Sequence, residues 1–95
     1  MLAPPVSERS ERTIGHSDEL TMYTTVWCGF CRRLKTQLDH AGIGYREVDI
    51  ERDPEAAAFV ANTNGGNQTV PTVRLPDGTT LTNPSLDQVA SALVG

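Results

Sequence analysis

Both cysteines of this 95-residue chain sit in one short stretch, YTTVWCGFCRRL, at Cys28 and Cys31. Two thiols three positions apart can attack an external disulfide and then one another, or they can supply half of a zinc site. The first chemistry needs one sulfur ionised and one held in reserve. Cys28 falls before or within the first turn of an expected helix. Unsatisfied N–H groups and the positive end of the helix dipole favour a thiolate there. In C-x-x-C motifs such surroundings lower the cysteine pKa from about 8.5 to roughly 3.5–7.5. Cys31 follows one turn later on the stripe of Leu34 and Leu38, so it is expected to be the less exposed of the two. Cys28 then attacks a disulfide, and Cys31 is close enough to attack Cys28 afterwards. Arg32 and Arg33 follow at once, either as a solvated helix face or as added support for the anion.

The metal reading lacks its other half. His16 belongs to an expected tail and His40 to the end of the first helix, so neither is placed as a ligand and no metal is expected. An iron–sulfur cluster shared between two chains, with Cys28 and small-molecule thiols as ligands, is a separate reading that the spacing leaves open.

The elements that must hold the pair can be read on either side of it. LTMYTT, from Leu20, alternates β-branched and aromatic residues as a strand does. Cys31, Leu34, Leu38 and Ala41 then recur at steps of three and four, tracing a helix that Gly42 stops. YREVDI, Tyr45 to Ile50, reads as a second strand. Asp53 and Pro54 supply an N-cap and first-turn proline for a helix through EAAAFVA that ends near Asn64, Gly65 and Gly66. The glycines there either end that helix or, with NGGNQ, bring backbone amides toward a ligand. TVPTVRLPDGTTLT reads as strand residues interrupted by Pro71, a turn at Pro76 to Gly78, and a further short strand. The closing helix carries Leu86, Val89, Ala90 and Leu93 on one face, with Ser85 and Gln88 spaced as a capping box. The expected order is β-α-β-α-β-β-α, an α/β sandwich built on a mixed four-stranded sheet. Its reactive pair falls at the corner between the first strand and the first helix.

Size and charge restrict the partners. The length suits one compact domain, read as residues 20–95 behind a polar tail at 1–19 that includes SERSERT. Eight basic against twelve acidic residues, a net charge of −4, provide no positive field for nucleic acid or anionic lipid. No stretch approaches the roughly 20 apolar residues of a membrane span, so a cytoplasmic protein is expected. In a reducing cytosol a structural disulfide does not persist, and one closing so short a loop constrains the unfolded chain little. The pair is therefore read as reactive rather than structural.

TMYTTVWCGFC at the end of the first strand, TVPTV at Thr69 to Val73 and an Asp-Gly turn before the last helix together resemble the glutaredoxin branch of the thioredoxin superfamily, from Leu20 to Leu93. The resemblance implies a cis Pro71 beside Cys28, with Thr69 and Val70 offering backbone to a thiol ligand. A proline lacks N–H, and X-Pro is the common source of cis bonds. A trans edge-strand proline is the other reading.

Two departures from the usual glutaredoxin pattern bear on the ligand. Thr25 stands where a lysine suited to a glutathione carboxylate is typical, and TNPS, Thr82 to Ser85, stands where a Gly-Gly pair is typical. Hydroxyl and amide groups at Thr25, Thr82 and Asn83 suit a neutral sugar better than a carboxylate. YTTVWCGFC, NGGNQTVPTV and DGTTLTNPS together resemble the mycoredoxins, glutaredoxin-like proteins that use mycothiol. That resemblance implies a monomeric oxidoreductase with no bound cofactor and mycothiol as reducing cosubstrate. Its partners are mycothiolated proteins, and Cys31 is dispensable. The alternative within the fold is a thioredoxin-like dithiol donor fed by a flavoprotein reductase, in which Cys31 is essential. Trp27 and Phe30 flank the pair, as walls of a substrate groove or as cover for a small core.

Overall fold

The computed structural model describes residues 19–94. The tail expected over residues 1–19 lies, apart from Glu19, outside the described residues. Seven elements follow in the expected order: β1 (Leu20–Thr24), α1 (Gly29–His40), β2 (Tyr45–Asp49), α2 (Pro54–Thr63), β3 (Thr72–Arg74), β4 (Thr80–Thr82) and α3 (Leu86–Val94). The strands form one mixed sheet in the order β2-β1-β3-β4, with β1 parallel to β2 and the other two pairings antiparallel. Among the described residues, no helix is long and apolar enough to cross a membrane.

Strand alternation sends successive side chains of β1 to opposite faces of the sheet. Leu20 and Met22 join Leu34 and Leu38 of α1, Val73 and Leu75 from the β3 segment, and Val89 of α3 in the larger core. Tyr23 turns the other way and packs with Ile50 and with Ala56 and Val60 of α2. Helices α1 and α3 thus cover one face and α2 the other.

Local chemistry sets the helix ends. Asp53 caps α2 by accepting the Ala56 N–H at 3.1 Å, with Pro54 in the first turn. The Ser85 hydroxyl accepts the Gln88 N–H at 3.1 Å while the Gln88 side chain accepts the Ser85 N–H at 2.8 Å, which completes the expected capping box. α1 ends in a Schellman arrangement, with Gly42 at φ 73° and the Ile43 N–H reaching the Leu38 carbonyl. Ala41, expected on the buried stripe, is instead the exposed C-cap, because the chain leaves the helix there. On α3 it is Ala92, rather than Ala90, that packs on the core beside Leu86 and Leu93.

A polar tie locks α1 to the sheet edge: Glu47 on β2 accepts from the Thr24 hydroxyl at 2.7 Å and from Lys35 at 2.9 Å. The Thr24 hydrogen bond, aided by Lys35 against partial burial, holds the Glu47 carboxyl below its usual range. Apolar packing against Leu38, which has no exposed surface, is the larger contribution to seating α1. Leu38→Ala is expected to cost about 2–5 kcal/mol, read as a lower urea midpoint with an unchanged slope.

Candidate functional site

The chain leaves β1 at Thr24, crosses Thr25 to Trp27 and enters α1 at Gly29, so Cys28 is the N-cap residue of α1. Its backbone is extended, φ −83° and ψ 110°, and its side chain turns back over the first turn. There Sγ accepts the Cys31 N–H at 3.1 Å. No acidic side chain stands in that first turn, so the sulfur has no competitor for the positive end of the helix. The Cys28 thiol also donates, at 3.8 Å, to the Val70 carbonyl. The amide contact strengthens when the sulfur becomes anionic, whereas the longer carbonyl contact needs the proton and is lost on ionisation.

Val70 and Pro71 are joined by a cis peptide bond, as the family resemblance implied, and Pro71 is buried beside the start of β3. The Thr69–Pro71 segment therefore borders the Cys28 sulfur. Cys28 is more enclosed than its place at a helix start suggests, at 5 % exposure, because Sγ folds inward toward the Cys31 amide. Cys31 is fully buried at 0 %. Burial pushes the Cys31 thiol up from 9.0 to about 12, reinforced by its hydrogen bond to Cys28 and that neighbour's charge, and only partly opposed by the Thr25 backbone and Lys35.

The other residues singled out from sequence divide into walls and supports. Trp27 and Phe30 are 66 % and 61 % exposed, so neither covers the core, and both stand beside Cys28 as open apolar surface. The Trp27 indole N–H donates to Glu51 at 3.1 Å, a contact from the β2–α2 loop that no local pattern announced. Arg32 donates to the Val26 carbonyl at 3.3 Å, pinning the approach to the corner, and is otherwise solvated. Thr25 is enclosed at 5 % exposure, and its hydroxyl has no hydrogen-bond partner among the described residues. Its carbonyl accepts the Cys28 N–H at 3.3 Å, so its backbone shapes the corner.

Thr82 and Asn83 are exposed at the end of β4. Asn83 has φ 47°, the left-handed region that a glycine adopts freely and that Asn tolerates best among other residues, and its N–H bonds the Pro71 carbonyl at 2.7 Å. Asn83 thus stands in a backbone region open to glycine and carries a polar side chain there. Asn83 and Phe30 also line a groove of about 500 Å³ between α1 and the start of α3, with Arg33 on one wall and Asp87 on the other. Among the described residues these are its only charged lining residues, one of each sign, and Gln37, Ser85 and Gln88 add neutral polar groups.

A sulfur capping a helix at a strand–helix corner, a second buried sulfur behind it and a cis proline alongside define a thiol–disulfide oxidoreductase of thioredoxin-like fold. The glutaredoxin family model matches residues 20–79, and the chain belongs to the glutaredoxin family. It is 61% identical over 75 residues to a Mycobacterium tuberculosis protein assigned by name to the glutaredoxins, covering 79% of this chain and 89% of that relative. Mycoredoxin 1 of Corynebacterium glutamicum is 43% identical over 74 residues, covering 78% of this chain and 91% of the relative. This chain is therefore a mycoredoxin-like glutaredoxin. Among solved structures, the glutaredoxin of Archaeoglobus fulgidus matches with a TM-score of 0.67 at 20% identity, over 82% of this chain and 88% of that one, a likeness of fold.

The raised Cys31 thiol couples stability to pH. Its folded state holds the proton more tightly than the unfolded chain, so this contribution is complete below about pH 9 and is lost as pH rises toward 12. Urea unfolding of the reduced protein is expected to show lower stability at about pH 10.5 than at about pH 8, with a smaller loss in Cys31→Ala.

Proposed function

We propose that this protein removes mycothiol from protein mixed disulfides by a monothiol cycle. The Cys28 thiolate attacks the mycothiol sulfur, a Cys28–mycothiol disulfide forms, and the protein thiolate leaves and takes up a proton. A second mycothiol, as thiolate, attacks the bound mycothiol sulfur. The Cys28 thiolate returns and oxidised mycothiol departs. The protein works as a monomer in a reducing cytoplasm, without a bound cofactor, on mycothiolated proteins.

The observation that carries this reading is the neutrality of the ligand side. Near Pro71 the exposed side chains include Thr82 and Asn83, and among the described residues the adjoining groove balances Arg33 against Asp87. Among the described residues of this groove a thiol with two carboxylates finds no surplus cation, whereas a sugar finds hydroxyl and amide partners. The proposed contacts are Thr82 and Asn83 at the sugar, the Thr69–Pro71 backbone at the cysteine portion, and Trp27 and Phe30 as walls. Thr25, being enclosed, shapes the corner in this reading. The 43% identity to Mycoredoxin 1 supports the same choice.

Cys31 sits out the cycle for a physical reason. Its thiol, pushed up to about 12 chiefly by burial, is almost wholly protonated near neutrality, and a protonated thiol is a poor nucleophile.

A kinetic comparison tests this. With a mycothiolated peptide as substrate, turnover is expected to be faster with mycothiol than with glutathione, and a flavoprotein thioredoxin reductase is expected to be a poor electron source. Cys31→Ser retains the activity and Cys28→Ser falls to background. Faster turnover with glutathione refutes the choice of thiol, and loss of activity in both serine variants refutes the monothiol cycle in favour of a dithiol donor.

A further inference from the structure

Behind the cis proline runs a side-chain network that ties the end of α2 to β3 and β4 through Asn64. The Asn64 amide nitrogen donates to the Val60 carbonyl at 2.8 Å and to the Thr72 hydroxyl at 3.2 Å. The Thr72 hydroxyl donates in turn to the Thr69 carbonyl at 2.7 Å. The Asn64 amide oxygen accepts from the Thr82 hydroxyl at 2.6 Å.

The direction of every bond in this chain is forced. Carbonyl oxygens only accept, so Val60 requires the nitrogen of Asn64 to face it, and Thr69 requires the Thr72 hydrogen. Thr72 is then left as an acceptor for the second amide hydrogen. Both donors of Asn64 are committed, and its oxygen must face Thr82. An amide oxygen cannot donate, so the single hydrogen of Thr82 points inward. What Thr82 presents outward is lone pairs alone. Thr82 is exposed and stands opposite Thr72 on the β3–β4 ladder, beside the Pro71 carbonyl that Asn83 holds.

We infer that Asn64, by fixing the hydrogen of Thr82, makes that hydroxyl a one-way acceptor that selects thiol ligands carrying a donor hydroxyl at this point and disfavours those carrying a carboxylate. This rests on the proposed reading of the site as one for a neutral sugar-bearing thiol, and it adds the residue that sets the selection. A free threonine hydroxyl turns its hydrogen toward a carboxylate and tolerates either ligand. One locked by Asn64 meets a carboxylate with its lone pairs. Asn64 acts as a positioning residue through Thr82 and touches no ligand itself.

The test compares mixed disulfides of one cysteine peptide with mycothiol and with glutathione. The readout is the ratio of their kcat/KM values in the wild type, Thr82→Val and Thr82→Ser. Valine keeps the shape and removes the lone pairs. It is expected to lower kcat/KM for the mycothiol disulfide about fivefold, mainly through KM, with no loss for the glutathione disulfide. Serine restores the wild-type ratio, which a merely structural role for the threonine methyl does not predict. Asn64→Ala, which frees the Thr82 hydrogen, is expected to move the ratio toward glutathione. An unchanged ratio in Thr82→Val, or equal losses for both disulfides, overturns the inference whichever thiol the wild type prefers. The wild-type preference is what tests the proposed function, so the two can fail separately.

Discussion

A helix capped by sulfur is the constraint on which the rest of this structure depends. N-cap positions favour Ser, Thr, Asp and Asn because a short side-chain oxygen can accept one of the orphan N–H groups of the first turn. Here Cys28 does so, with its Sγ 3.1 Å from the Cys31 N–H. A neutral thiol is a weak acceptor and a thiolate a strong one, so the contact is best made in the reactive state. Capping and nucleophilicity become the same interaction. For this to work, β1 must end at Thr24 and α1 must begin at Gly29, which the Leu20 and Met22 side of the sheet and the Leu34 and Leu38 face of the helix enforce by packing together.

The same helix geometry separates the two sulfurs. Three residues on from the cap, Cys31 lies on the buried stripe, and burial opposes its ionisation. A one-turn offset therefore places one sulfur at the helix start, against the Cys31 amide, and the other inside the core. The Cys31 amide serves Cys28 while the Cys31 thiol is kept out of reach. Backbone and side chain of one residue thus contribute in different ways.

Much of this was legible because it is local. Strand alternation, the 3.6-residue period, the Asp53 cap, the Ser85–Gln88 box and the Pro76–Gly78 turn are all encoded within a few residues, and each element formed where those patterns placed it. The reactive corner followed from the order of elements. The supports were not legible. Trp27 meets Glu51 and Thr82 meets Asn64 across separations of 24 and 18 residues, and no periodicity links them. The enclosure of Thr25 and Cys28 likewise depends on how the corner packs. Asn64 reads as the end of a helix, which it is, and its second role appears only once β3 and β4 are folded against it. The left-handed backbone at Asn83, φ 47°, went unread, although asparagine tolerates that region better than most residues and so offered a signal for it.

That left-handed residue belongs to a different part of the chain from the reactive corner. The Cys28 sulfur and the Val70 carbonyl are brought together by β1, α1 and the cis Val70–Pro71 bond, all in the part of the chain before β4. The side chains proposed to face the rest of the ligand lie after it, at Thr82 and Asn83. Asn83 adopts a backbone region that glycine also adopts freely and bonds the Pro71 carbonyl at 2.7 Å, so a polar side chain stands there beside the proline. In the proposed reading this rim, lying on a different segment from the Cys28 corner, sets the hydrogen-bonding character that the ligand meets. The Asn64 network gives that rim a direction as well as a composition. A hydroxyl is ambivalent until something inside the protein claims its hydrogen, and the carbonyls of Val60 and Thr69 decide that outcome from within the fold.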